Sequence, residues 1–249
     1  MISNGSKNVI SCENLRVQSK TIYMNITYFG HSCFGVEISG KHILFDPFIT
    51  PNELAKNIDI NTVKADYILI SHGHSDHVAD AVSIAKRTGA KVVSNFEVIT
   101  WVNNQGVTNT HPMNVGGTWK FEFGSVKCVV AVHSSTMPDG TQGGTAMGFV
   151  VESAEECFYF AGDTALTYDM KLIGEFHKID FCFLPIGDNF TMDIKSAVVA
   201  ADFVNCNKII GMHYDTFGYI KIDKPEAISK FAAAKRELIL FEVGETKSI

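Results

Sequence analysis

Ser71-His72-Gly73-His74-Ser75-Asp76-His77 sets three imidazoles and one carboxylate within six residues. The apolar run Tyr67-Ile68-Leu69-Ile70 ahead of it reads as a buried strand, and residues 79–87 behind it as a helix. The four ligands therefore stand on a loop at a strand end. Imidazole and carboxylate donors suit zinc, manganese or iron, and Gly73 is expected to let the backbone turn tightly enough for alternate side chains to converge.

The same placement recurs on either side. Upstream, strands are expected at 26–29, 33–38 and 42–45, with Gly30-His31-Ser32 between the first two and Asp46-Pro47 after the third. Residues 48–66 read as a surface loop able to cover a pocket. Downstream, a strand at 91–94 and a helix at 96–103 continue a βαβ rhythm, and strands at 119–123 and 126–132 lead directly to His133. The Ser-, Thr- and Gly-rich residues 134–144 read as a mobile loop beside it. Strands at 147–152 and 157–161 end in Gly162-Asp163-Thr164, a helix at 170–176 precedes a strand at 181–184, and Asp193 caps a helix running to about 205. The last βα unit carries His213 after a strand at 208–212, then a helix at 225–236 and a strand at 238–241. Both halves place strands first and then alternate helices with strands. That plan suits two packed sheets with helices outside in one domain, residues 24–249, preceded by a polar extension at 1–23.

With 249 residues, 46% of them hydrophobic, the chain can bury a sizeable core. A net charge of −6 disfavours an electrostatic grip on nucleic acid or on an anionic membrane. The six cysteines are scattered without a C-x-x-C pair, as expected of free thiols in a reducing cytoplasm. No stretch is long and apolar enough for a membrane span or a signal peptide, so a cytoplasmic protein is expected. A homo-oligomer is left open, the extension offering one contact for it.

Collecting the strand-end ligands gives His72, His74, Asp76, His77, His133, Asp163 and His213. Seven ligands exceed one tetrahedral site and imply two metal ions. The economical division is His72, His74 and His133 on one, Asp76, His77 and His213 on the other, and Asp163 between them. Singly, His133 or His213 would read as an ordinary loop histidine and Asp163 as a turn residue. The H-x-H-x-D-H cluster changes that reading, because it needs partners from later segments. His42, His111 and His177 have no such context and read as structural or surface residues.

From Met24 onward the chain resembles the metallo-β-lactamase superfamily. The resemblance rests on Thr27-Tyr28-Phe29-Gly30-His31-Ser32-Cys33-Phe34, Phe45-Asp46-Pro47-Phe48, Ser71 to His77, Ala161-Gly162-Asp163-Thr164, residues 185–192 and Met212-His213-Tyr214. It is strongest to the metal-dependent hydrolase branch related to ascorbate-6-phosphate lactonases and N-acyl-phosphatidylethanolamine phospholipase D. The resemblance implies an α/β fold, a four-layer αββα sandwich, with a dinuclear site on the same seven residues. Two divalent ions are then expected, zinc first, with Mn2+ or Fe2+ as alternatives. A bridging hydroxide would cleave a small-molecule ester, lactone or phosphodiester, with Asp76 and Asp163 at the reacting centre and His31 as proton donor or substrate contact. His74 stands where flavodiiron relatives carry glutamate, which favours hydrolysis. A ribonuclease Z-like nuclease and a non-catalytic metal-binding sensor are the alternatives, the first lacking the added basic element usual in that branch. Asp46, Asp188 and Tyr214 form a supporting tier, and specificity is expected in loops such as 50–64 and 134–144.

Overall fold

Alternate residues of the central strands face opposite ways, and this divides the core in two. A computed structural model describes residues 24–249; the extension expected at 1–23, with Cys12, lies outside the described residues. In the first half β1 (Asn25–Gly30), β2 (Cys33–Ile38), β3 (Lys41–Phe45), β4 (Tyr67–Leu69), β5 (Lys91–Asn95) and β6 (Thr110–Met113) alternate late with α1 (Ser75–Val78), α2 (Ala81–Thr88) and α3 (Phe96–Asn104). The second half repeats the plan with β7 (Thr118–Phe121), β8 (Gly124–Val130), β9 (Met147–Glu152), β10 (Cys157–Phe160), β11 (Phe181–Pro185), β12 (Lys208–Met212) and β13 (Glu237–Ile239). Its helices are α4 (Met170–Phe176), α5 (Ile194–Phe203) and α6 (Lys224–Ala233). A last strand, β14 (Thr246–Ser248), returns to pair with β1.

The two sheets run β14-β1-β2-β3-β4-β5-β6 and β13-β12-β11-β10-β9-β8-β7. Each begins with antiparallel pairs and ends in parallel βα units, β3 to β6 in one and β10 to β13 in the other. Along β3 and β4, Ile43, Phe45, Tyr67 and Leu69 point into the space between the sheets, while Leu44 and Ile68 meet the helices. Phe45 stacks on Phe160 at 4.6 Å and Phe34 packs on Phe183 at 4.8 Å, so aromatic rings from both sheets fill the middle. Val78, Ile84, Val98 and Val102 close the outer face of the first sheet; Met170, Ala197, Ala201 and Phe231 belong to the cluster that backs the second. The result is the αββα order expected.

Three elements depart from the expectation. The helix expected at 79–87 begins only at Ala81, as α2, and a separate short helix, α1, lies within the motif read as a loop; between them Asp80 turns its carboxylate to accept Ile49 N–H at 2.6 Å and Thr50 N–H at 2.9 Å. Strand β6 includes Pro112, which is tolerated because β6 is an edge strand paired only with β5. Strand β14 is three polar residues long, too short to show a period. Among the described residues no helix is long and apolar enough to cross a membrane, and the five described cysteines are free thiols.

Candidate metal centre

The strand ends expected to carry ligands converge on one edge of the sandwich. β4 delivers His72, His74, Asp76 and His77, with His74 at the N-terminal end of α1; β8 is followed by His133, β10 by Asp163 and β12 by His213. His31 and Asp46 come from the ends of β1 and β3. His31, Asp46 and His213 have φ of 58°, 42° and 56°, in the left-handed region that non-glycine residues rarely occupy. Such strain persists only where surroundings hold it. His213 N–H donates to the His31 carbonyl at 3.0 Å, tying the two sheets together at this edge.

One nitrogen each of His72, His74 and His133 lies within 4.8 Å of the others, and the same holds for ligand atoms of His31, Asp76, His77 and His213. Asp163 stands between the sets. Its Oδ2 is 2.9 Å from His213 Nε2, 3.3 Å from His77 Nε2 and 3.6 Å from His133 Nε2. His77 Nε2 and Asp163 Oδ1 are buried without a hydrogen-bond partner, a costly arrangement that a cation in the cluster would relieve. All seven expected ligands are therefore brought together, and the donor set fits divalent metal.

Asp46 organises two of the imidazoles from outside. Its carboxylate accepts the Ser71 N–H at 2.7 Å and the Ser71 O–H at 2.6 Å, and it lies 2.8 Å from His77 Nδ1. Because the serine hydroxyl spends its one hydrogen on Asp46, it can only accept from His72 Nδ1, 2.9 Å away. Both His72 and His77 thus carry hydrogen on Nδ1 and turn Nε2 toward the cluster. His31 is buried, with Nε2 at 3.1 Å from Asp76 Oδ2 and Nδ1 at 3.0 Å from Thr216 Oγ1.

Burial, helped by His77, drives His72 well below the usual histidine range and also lowers His74 and His133, keeping them neutral. Burial, reinforced by His213, pushes His31 down to about 4 against the pull of Asp76. For His77 burial acts the same way, but Asp163, Asp76 and Asp46 outweigh it and raise the group. Burial would raise Asp163, yet His213 and His77 hold it well below the carboxylate range; Asp76 is lowered against burial by His77 and His31. The centre thus balances buried carboxylates against imidazoles.

A cleft of about 880 Å³ opens over this cluster, with His74, Asp76, His133, Asp163 and His213 on its floor. Its walls are Phe48, Phe190, Phe217 and Tyr219, side chains that read in the sequence only as core or loop residues. Their common signal was position: each follows a strand-end motif. The expected specificity loops fare differently. Residues 50–64 do not line the cleft, and only Ser134 of 134–144 does. That second loop is also pinned, by Gly73 N–H to Ser135 Oγ at 3.0 Å, Asn95 Nδ2 to the Gly143 carbonyl at 2.6 Å and Trp101 Nε1 to Asp139 at 2.9 Å. Gly73 does not adopt a left-handed φ; a Cβ there would collide with Met137 Sδ, so its role is to admit this loop. Asp188 is exposed on a turn, and Tyr214 is buried with its hydroxyl toward the Phe241 carbonyl at 3.4 Å; neither lines the cleft. His42, His111 and His177 lie outside the cluster.

Comparison with known proteins agrees with this geometry. The sequence profile described as Beta-lactamase superfamily domain matches residues 25–213. A UPF0173 metal-dependent hydrolase of Flavobacterium johnsoniae is 55% identical over 223 residues, covering 90% of this chain and 99% of the relative. One of Methylacidiphilum infernorum is 51% identical with the same coverage. Among solved structures, Igni18, a metallo hydrolase from the archaeon Ignicoccus hospitalis, is 34% identical with a TM-score of 0.83, covering 92% of this chain and 99% of its own. An isothiocyanate hydrolase from Delia radicum gut bacteria shares the fold at 15% identity and a TM-score of 0.70, covering 91% of this chain and 99% of its own. A fold, a ligand-rich edge and close relatives along nearly the whole chain lead to one conclusion: this chain belongs to the metallo-β-lactamase superfamily and is one of its metal-dependent hydrolases.

Proposed function

We propose that the centre is dinuclear and cleaves a small-molecule ester, lactone or phosphodiester. His72, His74 and His133 would hold one ion, Asp76, His77 and His213 the other, and Asp163 would serve both. The observation that carries this reading is the Asp163 carboxylate, whose Oδ2 touches imidazoles of both sets at 2.9 to 3.6 Å. Zinc suits the donors, with manganese or iron as alternatives. Bound there, two divalent ions would supply a water of pKa lowered to ~7 and a Lewis acid for the substrate oxygen.

The chain's own residues have separable tasks. Asp46 and Ser71 hold His72 and His77 in the tautomer that offers Nε2. His31 is buried behind the cleft wall, edge-on to Phe48 and Phe217, and does not line the cleft, so we assign it to Asp76, which it orients and with which it can exchange a proton, rather than to the substrate. Thr216, at the cleft, hydrogen-bonds the other side of that ring. Among the described residues no lysine or arginine lines the cleft, which counts against the nuclease alternative because a polyanion would find no basic side chain there. Domain 24–249 would carry the whole activity.

The test is hydrolysis of lactones, carboxylic esters and phosphodiesters by chelator-stripped protein reloaded with each metal. Turnover that returns with metal and is lost in Asp163→Asn supports the proposal. Stoichiometric metal binding without hydrolysis in any class would favour the sensor reading instead.

A further inference from the structure

The cleft has two chemically different ends. Its floor is the ligand cluster, while its mouth is built from Phe190 and Tyr219, 51% and 78% exposed, with Phe217 at 37% beside them. Large aromatic side chains left this open beside a reaction centre call for a ligand. They are also held in place. Asp188 and Asn189, with φ of 64° and 56°, form a tight turn closed by Asp188 N–H to the Met192 carbonyl at 3.0 Å, and Phe190 projects from it. Across the mouth, Asp215 N–H bonds the Ile220 carbonyl at 2.8 Å and Ile220 N–H the Phe217 carbonyl at 3.1 Å, fixing the turn that carries Tyr219. The Phe190 and Tyr219 rings meet edge to face at 6.3 Å. Deeper in, Phe48 lies 6.3 Å from Phe217. Both aromatic pairs join loops from separate segments, and Phe217 and Tyr219 stand two residues apart on one of them, so aromatic side chains line the cleft at mouth and floor alike.

Charge points the same way. Recognition of a phosphate or carboxylate on the distal part of a substrate relies on arginine, lysine or backbone donors at a helix N-terminus. Among the described residues no lysine or arginine lines the cleft, and Asp76 and Asp163 add negative charge to the floor. Lys224, in a neighbouring hollow, is directed to Asp215 and Glu242 at 3.7 and 3.8 Å.

Resting on the hydrolase reading above, we infer that the substrate is a neutral carboxylic ester whose acyl group is apolar and lies along Phe48, Phe217, Phe190 and Tyr219, with no anionic group at its distal end. In the reaction, the oxygen of water bonds to the carbonyl carbon and the bond from that carbon to the alcohol oxygen breaks. The alcohol leaves with one proton of the water, and the carboxylic acid releases the other to solvent.

The experiment has two arms. In the first, kcat/KM of the metal-reloaded enzyme is measured for p-nitrophenyl acetate, butanoate, hexanoate and octanoate, and for a hexanoate ester bearing a terminal carboxylate. The expected result is a rise of up to about fourfold per added methylene, following apolar burial, and a penalty of at least tenfold for the terminal charge. In Phe190→Ser and Tyr219→Ser, exposed positions whose loss should leave Tm unchanged, the slope with chain length should flatten, octanoate losing at least tenfold more kcat/KM than acetate. A flat series in the parent enzyme, a slope unchanged in both variants, or preference for the charged ester would overturn the inference. In the second arm, the neutral fluorophore N-phenyl-1-naphthylamine is titrated onto metal-free protein. Binding that octanoyl esters displace and both variants weaken at least fivefold supports the apolar wall; no binding in the cleft refutes it. Absence of all ester turnover with phosphodiester turnover retained would overturn the carboxylic-ester inference alone, and absence of both would overturn the proposed function with it. Turnover of dissolved butanoate and hexanoate identifies a soluble substrate, and turnover confined to esters presented in phosphatidylcholine vesicles identifies a lipid source of the same acyl chemistry.

Discussion

Asp46 never touches the cleft, yet three hydrogens meet on its carboxylate and through them two imidazoles of opposite ligand sets are fixed. Asp46→Asn puts an amide N–H2 against donors, so one of those bonds must break. Metal affinity is expected to fall about 10- to 100-fold, as when outer hydrogen-bond partners of metal ligands are lost, measurable by competition with a chelating dye; unchanged affinity would remove Asp46 from this role. His31→Gln is expected to keep the metal content and lower kcat at least about tenfold, since the ring acts through Asp76 at 3.1 Å. Metal loss would make His31 part of the binding set, which its place among the clustered ligands also permits. Much at this scale was legible in H-x-H-x-D-H and in the recurrence of His and Asp at strand ends. What was not legible was direction. Phe190 and Tyr219 share their composition with core aromatics such as Phe45, and only the left-handed turn at Asp188 and Asn189 turns Phe190 outward.

The loop between β4 and α1 is shaped by its neighbours as much as by its own residues. A Cβ on Gly73 would run into Met137 Sδ and stand 3.4 Å from the Gly143 Cα, so the 134–144 loop packs close against it. Gly73→Ala is expected to push that loop away from His133 and cost about 1–3 kcal/mol of stability, read as a lower urea midpoint, with a larger proportional loss of activity than Tm suggests. Wild-type activity would show that Met137 simply swings aside. The glycine was visible in the sequence; its reason was not, because tightness of a turn and close approach of a distant loop leave the same letter. Element boundaries failed for similar cause. The split between α1 and α2 at Asp80 follows from bonds to Ile49 and Thr50, some thirty residues away. Strand β6, with its proline, is explained only by lying at a sheet edge.

Across the molecule, the edge rich in histidine and aspartate exists because two similar sheets pack face to face, and Phe45 and Phe160 join them at the middle. Phe45→Ala, at a fully buried position, is expected to cost about 3–5 kcal/mol and lower Tm by roughly 6–20 °C for a chain of this size; a shift under 3 °C would mean the sheets repack freely. The plan of two halves was readable from the order of strands and helices, since periods of two and 3.6 survive in sequence. The return of β14 to β1 was not, because three polar residues carry no period. Those halves bring the seven expected ligand side chains from four segments to one place, and Asp163 stands between the two histidine-bearing groups. The most direct measurement is elemental analysis of purified, metal-reloaded protein alongside Asp163→Asn. Two ions per chain in the parent, falling to one or fewer in the variant with the fold intact by circular dichroism, is the expected result. A single ion per chain in the parent, or two retained in Asp163→Asn, would contradict the shared-carboxylate centre.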